Sequence, residues 1–103
     1  MDATAWVFER RDTYYVYRIQ FENIKGKREN KRIIKAMTKE GCELVGNGYS
    51  KGGEFILIFD KKIESRDKWI DWARQLSYPL VELNSKMNPK PTKLGSYYIS
   101  SLS

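Results

Sequence analysis

The sequence predicts an α+β fold, a single domain whose antiparallel sheet carries two helices on one face. Three observations lead there. Thr13–Glu22, TYYVYRIQFE, is aromatic, β-branched and alternating, the pattern of a strand with one covered side. Residues 31–59 read as a basic helix, a glycine stop, a strand, a glycine-rich turn and a strongly apolar strand. A second amphipathic segment, near residues 66–76, then supplies another helix.

In chain order, Ala5-Trp6-Val7-Phe8 predicts either a brief strand or an anchor that docks Trp6 on the core, before a charged turn at Glu9–Asp12. In the strand that follows, Tyr15, Tyr17, Ile19 and Phe21 form the core face, and Tyr14, Val16, Arg18 and Gln20 the open one. Asn23–Arg28 is a basic loop, and a helix is predicted from about Glu29 to Glu40. Ile33, Ile34 and Met37 share one side of it, and Gly41 stops it with a left-handed cap. Cys42–Val45 starts the next strand. The glycines of GNGYSKGG predict a loose hairpin tip, and Glu54–Asp60 a strand flanked on both edges. Ser65 caps the second helix, with Trp69, Ile70, Ala73 and Leu76 buried and Trp72 at the margin. Leu80–Leu83 is a short last strand. The order is that of the ferredoxin-like βαββαβ pattern. Without its last strand, a βαββα unit with a C-terminal arm remains. The boundary falls between a compact domain at 1–83 and a Pro/Lys/Ser-rich arm at 84–103, where Tyr97, Tyr98 and Ile99 dock on the body or on a partner.

With 103 residues the chain has room for one domain. Nineteen Lys and Arg against thirteen Asp and Glu give +6, a balance that favours polyanionic partners. A single cysteine excludes an internal disulfide, and histidine is absent. No metal-ligand spacing, nucleophile motif or nucleotide-binding glycine pattern is present, so neither cofactor nor enzyme activity is expected. Glu43 and Glu54, near each other across the hairpin, are too little to build catalysis on. No apolar run has the length of a signal peptide or membrane span, so a cytoplasmic protein without a membrane partner is expected.

The sharpest chemical feature is a cationic stripe. Lys31, Arg32, Lys35 and Lys39 share an arc of the helix opposite its apolar side, and Arg28, Lys27 and Lys25 extend it backwards. Such a row can meet successive phosphates, or it can be a solvated face. Tyr49 and Lys51 at the glycine-rich tip are candidate contacts beside it. Tyr14, Arg18 and Gln20 either stack on bases or lie beneath the arm. Trp72, Tyr97 and Tyr98 are candidate interface anchors. Cys42, among apolar neighbours, reads as an inert buried thiol.

Two families resemble this pattern. A TYYVYRIQF strand, a helix, and Gly41, Glu43, Leu44 and Val45 before EFILIF are similar to a small uncharacterised bacterial and phage domain family. Its members carry a "GWELV" strand, with Cys42 here replacing the tryptophan; the resemblance implies a fold but no settled activity. IIKAMTKEGCELV followed by Ser50-Lys51-Gly52-Gly53 also resembles the HicA-type toxins in outline. Their RNA cleavage needs a turn histidine that this chain lacks. An RNA-recognition motif does not fit KGGEFILI, because Gly53, Glu54 and Ile58 stand where its motif needs aromatic or small residues. Two expectations follow: an accessory protein that binds DNA or RNA through phosphates, or a phage or mobile-element module that inhibits a nucleic-acid-handling host complex by docking on an acidic protein surface. Homodimerisation through an exposed strand edge is left open.

Overall fold

The structure, a computed structural model, describes residues 1–78, 80–83, 91–94 and 97–100. The elements run β1 (Asp2–Arg10), β2 (Tyr15–Ile24), α1 (Lys27–Lys39), β3 (Glu43–Tyr49), β4 (Phe55–Ile63), α2 (Arg66–Gln75), β5 (Val81–Leu83), β6 (Pro91–Leu94) and β7 (Tyr97–Ser100). They build one sheet in the order β3-β4-β2-β1-β5-β7-β6, in which β3, β4, β2 and β1 each run antiparallel to the next. The predicted α+β class, with an antiparallel sheet and two helices, is the observed one.

The strand order differs from the ferredoxin-like pattern by a strand inserted within it and by two more added beyond its last one. The opening segment is a nine-residue strand that takes the antiparallel slot beside β2, and β5 pairs parallel to β1 one position further out. The order shows two interleaved crossovers, β2–α1–β3 over β4 and β4–α2–β5 over β2 and β1. They step in opposite directions from oppositely oriented strands, so the same right-handed rule places both helices on one face. Trp6 does not dock on the core. It sits opposite Arg18 on the far face, while Ala3 and Ala5 face inward. Ala3 and Ala5 thereby join the buried core cluster.

The core lies between that face and the helices. Tyr17, Ile19 and Phe21 of β2, Leu57 and Phe59 of β4, Ile33 and Met37 of α1, and Trp69 and Ala73 of α2 are all buried. Trp69 stacks on Tyr17 with ring centroids 3.8 Å apart, and Phe21 meets Phe59 and Tyr78 edge-on. A register shift between Phe21 and Ile24 lets both point inward despite their odd spacing. Asn23, at φ 57°, absorbs the extra residue in the left-handed region that Asn tolerates.

The stop of α1 and the start of α2 follow local chemistry. Gly41 adopts φ 85°, its N–H donates to the Thr38 carbonyl, and the Cys42 N–H donates to that of Met37. This pairing is a Schellman cap, sealed by the buried Cys42–Met37 side. Lys61 Nζ adds a donor to the Glu40 carbonyl at 2.6 Å. Ser65 Oγ accepts from the Lys68 N–H at 3.2 Å at the start of α2, as predicted.

The hairpin tip is tighter than predicted. Gly46, Asn47 and Gly48 belong to β3 itself, and the turn is confined to Ser50–Glu54. The Ser50 N–H donates to the Glu54 carbonyl at 2.7 Å, the Gly53 N–H to the Ser50 carbonyl at 3.0 Å, and the Glu54 N–H to Ser50 Oγ at 3.2 Å. Only Gly53 needs its glycine conformation, at φ 80°. β6 and β7 extend the sheet edgewise beyond β5. The expected docking of Tyr97 and Tyr98 side chains lies outside the described residues, as does the rest of the segment 84–103.

Candidate polyanion-binding surface

α1 begins two residues earlier than the periodicity suggests, and this shapes its chemistry. Lys27 and Arg28 fall in the first turn, and the N-cap, Gly26, has no side chain to cap the free N–H groups. Two cations therefore stand at the positive end of the helix dipole, an arrangement that opposes helix stability. Glu29 is the acidic residue of that turn. From there Lys31, Lys35 and Lys39 continue along the side of α1 opposite Ile33 and Met37, and all are exposed.

The stripe is less uniform than the sequence suggests. Arg32 Nη2 bonds both carboxylate oxygens of Glu29, at 2.7 and 2.6 Å, and its guanidinium lies 6.0 Å from the Tyr78 ring. The carboxylate holds the guanidinium pKa above its ordinary value. Arg32 is thus neutralised locally. Among the described residues, Arg28, Lys31, Lys35 and Lys39 carry no ion pair.

Register brings the other predicted contacts to one end of this row. Ile24 lies opposite Phe55, and Phe55 opposite Tyr49. The chain therefore leaves the sheet towards Lys25, Lys27 and Arg28 at the same end where the tip carries Lys51. Tyr49 is 70% exposed and rests on Phe55, with centroids 4.8 Å apart.

The second sheet face is chemically different. Arg18 donates from Nε and Nη2 to Asp60 at 2.8 and 3.0 Å, and its guanidinium covers Phe8 at 3.6 Å. Lys62 lies 4.0 Å over Tyr14, and Gln20 bonds Glu22. Tyr14 and Arg18 are thus engaged by Lys62 and Asp60 of β4, and Gln20 by Glu22 of its own strand. Phe8, Glu9, Tyr14, Val16, Glu43, Asp60 and Lys62 line an open depression of about 330 Å³ there. Its carboxylates make it a poor surface for a polyanion.

Trp72 is not a free anchor. Its Nε1–H donates to Glu40 at 3.1 Å, its ring packs 5.2 Å from that of Trp69, and Lys61 lies 4.9 Å over it. Glu43 and Glu54 do not meet either, since Glu43 lies opposite Asp60 and Glu54 closes the turn. Cys42 is buried, and desolvation pushes its thiol pKa up to about 12. Among the described residues, no three Cys, Asp or Glu side chains converge on a metal-sized site, and no helix is long and apolar enough to cross a membrane.

Sequence reasoning missed two features. The uncapped start of α1 was signalled only by Gly26 standing where a capping Ser or Asp is usual. Lys61 and Lys62 lie past the predicted end of the strand at Asp60, yet they belong to β4 and cover the Trp72 and Tyr14 rings. No family model, no curated protein and no solved structure matches this chain.

Proposed function

We propose that this chain is a small nucleic-acid-binding accessory protein that contacts phosphates through α1 and the adjoining hairpin tip. The observation that carries this reading is the continuous exposed row Arg28, Lys31, Lys35 and Lys39. It starts at an uncapped helix N-terminus and has no compensating ion pair among the described residues. A solvated face gains nothing from cations at that end of a helix, whereas a phosphate there meets free N–H groups, the dipole and two side-chain charges together. Lys25, Lys27 and Lys51 enlarge the same end, and Tyr49 offers an exposed ring on which a base can stack.

Docking on an acidic protein surface relies on apolar anchors, and Trp72, its candidate among the described side chains, is held internally by Glu40, Trp69 and Lys61. The likeness of the Gly41–Val45 segment to small phage and bacterial domains is compatible with an accessory role. Fluorescence anisotropy with random-sequence single- and double-stranded DNA and RNA tests the proposal. Binding that weakens steeply with salt supports it, and no binding to any of the four at low salt overturns it.

A further inference from the structure

The two flanks of α1 are occupied differently. Arg32 lies 6.0 Å from the Tyr78 ring, and Ala36 and Lys39 line a small cavity with Leu76 and Tyr78. That flank therefore faces the end of α2. At 3.6 residues per turn, the opposite flank carries Lys27, Lys31, Ile34 and Thr38. It lies on the side of β3, an edge strand of the sheet that α1 packs against.

β3 turns three side chains to the same side. Leu44, Asn47 and Tyr49 lie opposite Phe59, Leu57 and Phe55 of β4. Phe59 and Leu57 are buried in the core beneath the helices, and Phe55 packs against it. Facing residues of paired strands share a face, so Leu44, Asn47 and Tyr49 are also on the helix side. The register shift between Leu44 and Gly46 accounts for their uneven spacing. α1 leaves all three exposed. The strip is thus a shelf, with β3 as its floor and α1, about 10 Å across with its side chains, as its wall.

One end of the shelf is equipped for a nucleotide. Tyr49, Phe55 and Ile24 form one cross-strand row, which sets Tyr49 about 10 Å from the strand that leads into Lys25 and Lys27. Lys51 follows two residues after Tyr49 in the turn. Lys27, Lys31 and Lys51 have no ion pair among the described residues, and the Asn47 amide has no hydrogen-bond partner there. Asn47 and Tyr49 are about 7 Å apart along the strand, a step that suits neighbouring bases of an extended chain.

We propose that this shelf selects a single strand of nucleic acid over a duplex. An unpaired base stacks on Tyr49, the base beside it is read by the Asn47 amide, and the flanking phosphates meet Lys51, Lys27 and Lys31. The proposal rests on the nucleic-acid reading of α1 and narrows it. Paired bases are already stacked on both faces and have none to offer the ring, and a duplex resting on top of α1 is held off the floor by the height of the helix. A single strand is thin enough to lie in the angle with its base faces free. The Asn amide both donates and accepts, as an exposed Watson–Crick edge requires.

Anisotropy with one labelled mixed-sequence oligonucleotide, free and then annealed to its complement, tests this on the full chain at physiological salt. The single strand should bind about tenfold more tightly than its duplex, the scale of one stacked base. Tyr49→Leu should erase that preference, and Tyr49→Phe, which keeps the ring, should retain it. Tyr49 is 70% exposed, so neither change disturbs the core. Equal binding of the two forms, or a preference that survives Tyr49→Leu, overturns the single-strand assignment and leaves phosphate binding by α1 standing. Binding of neither form overturns both.

Discussion

Reversing Lys31 and Lys35 to Glu should flatten the salt dependence of DNA binding as well as weaken it. The row from Arg28 to Lys39 spans about 16 Å at the rise of an α-helix, a length that faces about five phosphates along one strand of a duplex. The cations along it without an ion pair are Arg28, Lys31, Lys35 and Lys39, so about four phosphates are neutralised. Counterion release then gives a slope of log affinity against log salt near −3.6, or about a 150-fold loss of affinity on raising salt fourfold. Removing two contacts should reduce the slope to about −1.8 and the same loss to roughly tenfold. The assay is anisotropy on a short duplex at four or more salt concentrations, with Lys68→Glu on α2 as a control that leaves the slope unchanged. Circular dichroism would establish that the variants remain folded. A slope that does not change in the Lys31→Glu/Lys35→Glu variant refutes the assignment of phosphates to α1, even if binding persists.

Other expectations concern stability and reactivity. Trp69→Ala should cost about 3–5 kcal/mol in urea unfolding, since a fully buried ring stacked on Tyr17 is lost. Trp72→Ala, at a half-buried ring, should cost clearly less, and equal costs would contradict the placement of Trp69 at the centre of the core. The Cys42 thiol should resist thiol reagents at pH 8 in the folded chain and react fully in denaturant. Its folded pKa of about 12 lies above the 9.0 that is ordinary for a thiol. Its contribution to stability is therefore intact below pH 9 and lost as pH rises towards 12, and rapid labelling of the folded chain at pH 8 would count against burial. Gly53→Ala should destabilise the hairpin by about 1 kcal/mol, because alanine pays for the positive φ that glycine adopts freely. An unchanged midpoint would mean that the turn relaxes to another type.

The local chemistry of the chain determined much of this protein. Alternation placed Tyr17, Ile19 and Phe21 on one face of a strand, helical spacing placed Ile33, Met37, Trp69 and Ala73 on buried sides, and Gly41 and Ser65 marked helix ends. These are signals read within a few residues, where backbone geometry fixes which side chains share a face. The composition of the candidate surface was legible for the same reason, because Arg28, Lys31, Lys35 and Lys39 are neighbours along one helix. What needed the tertiary structure was everything set by residues distant in sequence. The slot beside β2 went to the N-terminal strand, whose Ala3 and Ala5 face the core, and nothing local in ATAWVF encodes that choice. Arg18 found its charge partner in Asp60, and Trp72 its acceptor in Glu40. Meanwhile Lys51 was carried to the same end as Lys25 by the register of three strands. Pairings of that kind are decided by which strands the hydrophobic core brings side by side, and that is a property of the whole packed chain.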